Sequence, residues 1–369
     1  MARSDSKTQA AAQMIRKRIL HGDHALHGIP AERPLAGELG ISRQTVRRAL
    51  TLLEHDGILV RQENGRLVVK TDLAVGATKP IIGFLKDNHA SYDHEMWKAG
   101  LDVAIEGYNI ILRSVSFEHY GDAPISAALS GFDGMFFLPP ALEIPKWLTE
   151  MMREAACRVM VLDQDASKAK LPSLVMFPPQ AVSRLMEHLV ELGHKRIDCL
   201  NTQARDSIVD GRIACWESFI KARHLEGTFH SLTEFHPIES AYQLVRNKLR
   251  MGSVFGPAVI CTTAPAALGA IRACYEAGYK VGRDISICAV NDEGIAPYVI
   301  PTLTCLRTIP RAVYLRRGLD WMLSEEEWQG PLLLQPDEHD VPIFIGESTG
   351  PAPGGPIAAR PAVQPSEAT

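Results

Sequence analysis

From Ile81 onward, short apolar runs alternate with longer stretches of helical periodicity, and this alternation limits the fold more than any other feature of the chain. Strands are read at residues 81–85, 109–113, 134–138, 159–162, 197–200, 258–261 and 285–290. Helices are read at 95–106, 144–155, 181–192, 210–222, 241–251 and 266–277. A strand followed by a helix and another strand pairs in parallel, and helices then cover both faces of the sheet. Such a pattern running to residue 348 exceeds what one α/β lobe usually holds, so two lobes are expected. No repeat of fixed period is seen.

The first 70 residues follow another rule. Residues 8–21 read as a helix with Ala12, Ile15 and Ile19 on one face, followed by a Gly- and His-rich loop to Pro30. A short helix then ends at Gly40, with Pro34 tolerated in its first turn. Ser42 is a good N-cap for a third helix whose apolar positions are Val46, Leu50 and Leu53, and Gly57 ends it. Two β-rich runs, 58–62 and 66–70, meet at Asn64-Gly65, a tight-hairpin signal. Three helices and a hairpin make a winged helix-turn-helix over residues 1–70. Residues 71–80 read as a linker. The Pro/Gly/Ala-rich residues 349–369 read as a disordered tail.

The formal net charge of −4 argues weakly against a nucleic-acid partner, but it is an average of unlike parts. Residues 1–70 hold 12 Lys/Arg against 7 Asp/Glu, and the remainder holds 27 against 36. The seven cysteines are scattered without a C-x-x-C pair, the pattern of buried free thiols in a reducing cytoplasm. The N-terminus lacks a signal-peptide pattern, and no apolar run is long enough to span a membrane. Nothing calls for a metal or cofactor.

In a helix that enters the major groove, the N-terminal residues lie nearest the base edges. Here they are Ser42, Arg43, Gln44, Thr45, Arg47 and Arg48. Arginines can grip guanine or phosphate, Gln44 can pair with adenine, and Ser42 and Thr45 can hold phosphate oxygens. Arg33 lies one helix earlier, and Gly65 and Arg66 lie where a wing could reach the minor groove. The plain alternative is a solvated helix face, but three arginines within six residues opposite an apolar stripe favour DNA. Pro30-Ala31-Glu32-Arg33-Pro34-Leu35-Ala36 and Gly40-Ile41-Ser42-Arg43-Gln44-Thr45-Val46-Arg47-Arg48-Ala49-Leu50 resemble the signature of GntR-family bacterial regulators. The resemblance implies DNA contacts at Arg33, Ser42, Arg43, Thr45, Arg47 and Gly65. Ala31 stands where the family usually has a Ser cap, and Glu63-Asn64-Gly65 replaces its Gly-rich basic wing.

The body resembles the effector domain of LacI/GalR-type repressors, a periplasmic-binding-protein-like fold. The likeness rests on Ile82-Gly83-Phe84-Leu85, on Leu189–Ile197 with its Gly193-His194-Lys195-Arg196-Ile197 run, and on Ala267-Leu268-Gly269 with residues 281–287 and 301–304. A GntR head on this body is similar to the arabinose-responsive repressors of Gram-positive bacteria. Such a fold holds a ligand between its lobes, at the carboxyl ends of parallel strands. By this resemblance Arg212 falls where the family keeps a sugar-contacting Arg. Asn291 falls where it has Asp, with Asp292 adjacent, and Asp93 and His94 open the first helix. Phe177 and Ala264 stand where the family has polar cleft residues, which points to a more apolar or anionic ligand, or to a silent cleft. Each has a bland reading as well: Arg212 pairing with Asp210 or Glu217 on the surface, and Asp93 and His94 as helix caps. Asp163 and Asp165 read as a strand end, His194 as a turn residue, and Trp97 and Trp216 as packing.

The expected function is a sequence-specific DNA-binding regulator, a repressor by its resemblance, controlled by a sugar-like effector and acting as a homodimer on duplex DNA. The competing readings are a regulator with a silent cleft and an α/β enzyme with an appended head. No G-x-G-x-x-G, Walker, G-x-S-x-G or H-E-x-x-H motif supports the enzyme.

Overall fold

The computed structural model describes residues 8–9, 11–16, 19, 29–62, 65–69, 79–88, 91–140, 142–233, 236–251 and 255–353. Of the expected linker only residues 79–80 are among these, and the tail beyond 353 lies outside them, as do Glu63 and Asn64 of the wing.

In the head, residues 11–16 are helical, followed by α1 (Glu32–Leu39), α2 (Arg43–His55) and a hairpin of β1 (Leu59–Arg61) and β2 (Leu67–Val69). The strands are antiparallel, with Val60 opposite Val68. Ile15, Leu35, Val46, Ala49, Leu50, Leu53 and Leu59 close on one small core. The apolar stripe of α2 supplies most of it, and the face opposite stays wet.

The body has two six-stranded sheets. The first runs in the order β13-β7-β6-β5-β3-β4 and is parallel throughout. Its strands are β3 (Ile81–Asp87), β4 (Ile111–Phe117), β5 (Gly134–Leu138), β6 (Arg158–Leu162), β7 (Ser173–Leu174) and β13 (Leu333–Leu334). Ile82, Phe84, Phe136 and Met160 face α3 (Tyr92–Ala104) and, from later in the chain, α10 (Ala312–Leu323). Leu85, Met135, Phe137 and Val159 face α4 (Ala123–Gly131) and α5 (Lys146–Glu154). The period-2 alternation therefore feeds two apolar layers, as a doubly covered sheet requires.

The second sheet has the order β14-β12-β11-β10-β8-β9, built from β8 (Ile197–Asn201), β9 (Phe229–Ser231), β10 (Ala258–Cys261), β11 (Ser286–Ala289), β12 (Thr304–Leu306) and β14 (Ile343–Phe344). Only β14 is antiparallel among these. α6 (Val182–Glu191) and α7 (Ser207–Ala222) cover one face, and α8 (Pro237–Arg250) and α9 (Ala264–Glu276) the other. Gly269 lets α9 lie against α8, because a Cβ there would sit 2.1 Å from the Ile238 carbonyl oxygen. The chain crosses between lobes three times, at residues 175–181, 307–311 and 335–342.

The sequence reading misses several elements: α4, α10, β9, β12 and the two-residue strands β7, β13 and β14. Its strand at 109–113 is displaced, since β4 starts at Ile111 and runs to Phe117. The tail is also corrected. Residues 349–352 are ordered: Gly350 N–H donates to Ser286 Oγ at 3.1 Å, and Ala352 N–H donates to the Leu192 carbonyl at 2.8 Å. His194 is a structural residue, as its place after Gly193 implies. Its Nε2 lies 3.0 Å from Ser286 Oγ and 3.1 Å from the Gly350 carbonyl. His188 Nε2 meets Thr349 Oγ1 at 3.0 Å. The seven cysteines are free, six of them buried.

Burial depresses the pKa of both His188 and His194 below 6.5. The unfolded chain therefore takes up these protons first, and their contribution to stability fades as pH falls below about 6.5. His194→Ala should cost about 1–3 kcal/mol at pH 8 by removing a buried ring and its hydrogen bonds to Ser286 and Gly350, and the deficit should shrink toward pH 5.5. Denaturant unfolding followed by tryptophan fluorescence measures both.

Candidate nucleic-acid interface and interlobe cleft

Helix α2 starts where it does because Ser42, in extended conformation, accepts the Thr45 N–H at 3.2 Å. The Ser42 and Thr45 hydroxyls also pair at 2.8 Å, so both side chains build the cap. Arg43, Gln44, Arg47 and Arg48 then project from the exposed face. Arg43 and Arg47 are one turn apart and share the carboxylate of Glu32 on α1. Arg43 Nε donates to Oε2 at 2.9 Å, and Arg47 donates through Nε at 2.7 Å and Nη2 at 2.8 Å. The Arg47 hydrogen bonds, then those of Arg43, hold the Glu32 carboxyl down at about 2. Exposed pairs of this kind add little stability. Their effect is to fix the direction of two flexible guanidinium forks.

A groove of about 820 Å³ lies between the start of α2 and the wing. Arg33, Arg43, Arg47, Arg61 and Arg66 line it, with Glu32 as its one carboxylate among the described residues. Gly65 holds φ at 78°, a conformation that lets the hairpin reverse tightly. Arg61 is absent from the sequence reading. It donates to Glu54 at 3.0 and 3.2 Å and to the Gly65 carbonyl at 2.9 Å, which braces the wing against α2. Gln44 and Arg48 are exposed on α2 beside this groove but do not line it.

A second cavity, about 370 Å³, opens between the lobes of the body. Its walls come from the carboxyl ends of strands on both sides: Asp87 at the end of β3, Pro139 and Pro140 after β5, Asp163 and Gln164 after β6, Gln203 after β8, Thr263 after β10 and Asn291 after β11. Helix α3 adds Tyr92, Asp93 and His94. Of the expected effector residues, Asp93, His94, Phe177, Arg212 and Asn291 line this cavity together. Asp292 does not. Its carboxylate turns away to Arg307 at 3.3 Å and accepts the Gly294 N–H at 3.1 Å, while Glu293 faces the cavity instead.

The side chains are held as follows. Arg212 is buried, its Nη1 donates to the Thr262 carbonyl at 3.0 Å, and its Nε has no partner. Asp210 pairs with Arg205 at 2.5 Å, so the surface reading of Arg212 is not what is found. Asp93 meets Arg311 Nη2 at 2.5 Å, and that guanidinium lies 4.3 Å above the Trp97 ring. His94 Nε2 meets Asp87 at 3.1 Å. Ser91, not Asp93, caps α3. Asp206 caps α7 through the N–H groups of Ile208 and Val209, and Asn291 Oδ1 accepts the Ala264 N–H at 2.7 Å. The Thr263 hydroxyl is buried without a partner.

Asp163 is the largest departure from the sequence reading, which takes it for an ordinary strand end. Asp163 is half-buried, and burial together with the nearby Asp93 pushes its pKa up to about 7 against the opposing pull of Arg212 and Arg311. Burial and Asp93 raise Glu293 to about 7 as well. Both residues hold left-handed backbone, with φ of 59° and 46°. For non-glycine residues that costs on the order of 1–3 kcal/mol each and is commonest at functional sites. Asp165, by contrast, bonds the Ser167 N–H in a turn. Trp216 packs in the core and donates to the Ile197 carbonyl.

Comparison with known proteins matches these two regions separately. Residues 7–69 match the bacterial regulatory proteins of the gntR family, and residues 186–313 match the periplasmic binding protein-like domain. The chain joins a GntR-type head to a periplasmic-binding-protein-like body. Among curated relatives, the HTH-type transcriptional regulator GalR of Streptococcus thermophilus is 26% identical over 151 residues, 40% of this chain and 46% of that protein. The lactose operon repressor of Escherichia coli (strain K12) is 30% identical over 156 residues, 42% of this chain and 43% of that protein. The chain spans a little under half the length of these two relatives. The probable HTH-type transcriptional repressor ExuR of Bacillus subtilis (strain 168) is 24% identical over 259 residues, 66% of this chain and 72% of that protein. Of solved structures, a lac repressor dimer bound to operator and the anti-inducer ONPF superposes with a TM-score of 0.62 at 20% identity, covering 76% of this chain and 97% of that one. The transcription regulator CcpA of Lactococcus lactis gives 0.61 at 19% identity, covering 74% and 100%. At such identities the likeness carries the fold. Among the described residues, no helix is long and apolar enough to cross a membrane.

A carboxyl held near 7 in the folded protein and at its ordinary 3.8 in the unfolded chain destabilises the fold increasingly from pH 4 to 7. Asp163→Asn should therefore raise the stability of the ligand-free protein at pH 8 by on the order of 2 kcal/mol. The gain should vanish toward pH 4 in a series of denaturant titrations.

Proposed function

We propose that this chain is a sequence-specific DNA-binding transcription regulator, a repressor, whose DNA affinity is set by a small hydroxylated effector held between the lobes. The observation that carries the reading is the groove of five arginines at the capped start of α2 and along the wing. A helix N-terminus supplies free N–H groups and a positive field to a phosphate, while the arginine forks match guanine edges. The site residues are Arg33, Ser42, Arg43, Gln44, Thr45, Arg47, Arg48, Gly65 and Arg66, with Arg61 added. The head spans residues 1–70 and the linker 71–80. The body runs from 81 to 348 with its ordered extension to 352. The chain acts by binding rather than by catalysis, in the cytoplasm where its DNA lies.

One head makes few base contacts, and a two-fold pair reads a longer site. The body offers a face for such pairing. Leu268, Ile271, Tyr275, Tyr279, Val299 and Ile300 line an apolar groove of about 650 Å³, and neighbouring Tyr298 is 84% exposed and Ile300 92%. Lobe closure on an effector then shifts the spacing of two heads, which couples the two affinities reciprocally.

Selection of bound fragments from genomic DNA, followed by gel shifts, tests the DNA reading. Arg43→Ala and Arg47→Ala should each cost about 1–3 kcal/mol of binding to the selected site; wild-type binding by the double variant would overturn the assignment. Tyr298→Asp with Ile300→Asp should convert the protein to a 40.6 kDa monomer in sedimentation and weaken DNA binding in parallel. An effector should raise the melting temperature of wild type and not of Arg212→Ala.

A further inference from the structure

The cleft holds more negative charge than a neutral ligand can use. Asp87, Asp93, Asp163, Asp206 and Glu293 line it, against Arg212 and the Arg311 guanidinium behind Asp93. Four of the five carboxylates are engaged: Asp87 by His94, Asp93 by Arg311, Asp206 by the start of α7 and Glu293 by Asn291. None of the described residues donates a hydrogen bond to Asp163. Two further groups show that the cavity is built for an occupant. Arg212 Nε and Thr263 Oγ1, on residues only 6% and 3% exposed, line it with no partner among the described residues. Buried polar groups are seldom left so.

We propose that the effector carries a protonated amine seated on Asp163, on a small hydroxylated frame whose oxygens take Arg212 and Thr263. This deepens the regulator reading and rests on it. An anionic ligand, such as a sugar acid or sugar phosphate, would add charge of the sign already in excess. A neutral polyol would hydrogen-bond to Asp163 but offer its ionised form no countercharge, and so leave the carboxyl to take up a proton near pH 7. An ammonium group supplies both the charge and three donors.

The wall predicts a proton signature. Asp93, Arg311, Asp206 and Arg212 act on Asp163, and Asp93 and Asp292 on Glu293; the His94–Asp87 pair, His236 and Tyr92 are the other titratable groups among the described lining residues. In the empty cleft Asp163 and Glu293 titrate near 7. A cation favours their ionised forms, so its binding expels protons and tightens as pH rises from about 6 to 7, while the amine itself stays protonated. A neutral ligand that binds by accepting and donating hydrogen bonds lacks that dependence.

The test is isothermal titration of the full chain with matched sets: glucosamine, glucose and glucuronate; galactosamine, galactose and galacturonate; and 1-amino-1-deoxysorbitol against sorbitol. The expected result is at least one set in which the amine binds about tenfold or more tightly than its neutral and acidic counterparts. It should release protons when titrated at pH 6.5 in two buffers of different ionisation enthalpy, and lose about tenfold in Asp163→Asn. Glu293→Gln should give a smaller loss of the same kind, and circular dichroism establishes that both variants are folded. The proposal is overturned if no amine in the panel binds at millimolar concentration, if a neutral or acidic member matches the amine in every set, or if Asp163→Asn leaves amine binding unchanged. Neutral or acidic sugars that bind through Arg212 would remove the amine while leaving the regulator reading intact; amine binding by a protein that selects no DNA would do the reverse.

Discussion

A parallel strand cannot turn back on itself, and that constraint shapes the whole body. Most strands reach the next through a crossover helix, so helices cover both faces of both sheets. Phe84 and Leu85 are adjacent in sequence yet bury themselves in opposite layers. With both faces packed against helices, the carboxyl ends of the strands are where the cleft's polar groups gather. The two sheets aim their carboxyl ends at one gap, and Asp87, Asp163, Asn291 and their neighbours meet there.

The head solves a different problem with the same economy. Its core is small, and every apolar residue of α2 is committed to it. What remains outside is a strip of cations whose forks would wander if nothing held them. Glu32 holds two of them, and the Gly65 turn with Arg61 carries a third and fourth to the same side. A carboxylate in the middle of a cationic surface thus serves order rather than opposition: it gives Arg43 and Arg47 one shared orientation before any partner arrives.

How much of this is legible in the sequence depends on how local each cause is. The cap at Ser42, the stripe of α2 and the hairpin are set within a few residues, so the head reads directly. Alternation along residues 81–290 shows the α/β body, but β7, β13 and β14 are two residues long and carry no period of their own. They exist because a neighbouring strand is already there. Arg212 is found through its place in a known pattern. Asp163 is not, because what raises its pKa is burial in the fold and Asp93, 70 positions earlier, while the guanidiniums that oppose the shift, Arg212 and Arg311, come much later in the chain. Glu293 rather than Asp292 faces the cavity because its φ of 46° turns the loop over at that residue. Side-chain type alone cannot signal such a reversal.

The last segments of the chain have a consequence for how the body comes into being. Helix α10 packs on the first lobe and β13 pairs with β7 there, while β14 and residues 348–352 fasten onto the second lobe. Neither lobe is a continuous stretch of chain. The first lobe still lacks a covering helix and an edge strand when the ribosome has already made most of the second, so the two halves must mature together. A fragment cut between them leaves each with an open edge and a bare apolar face.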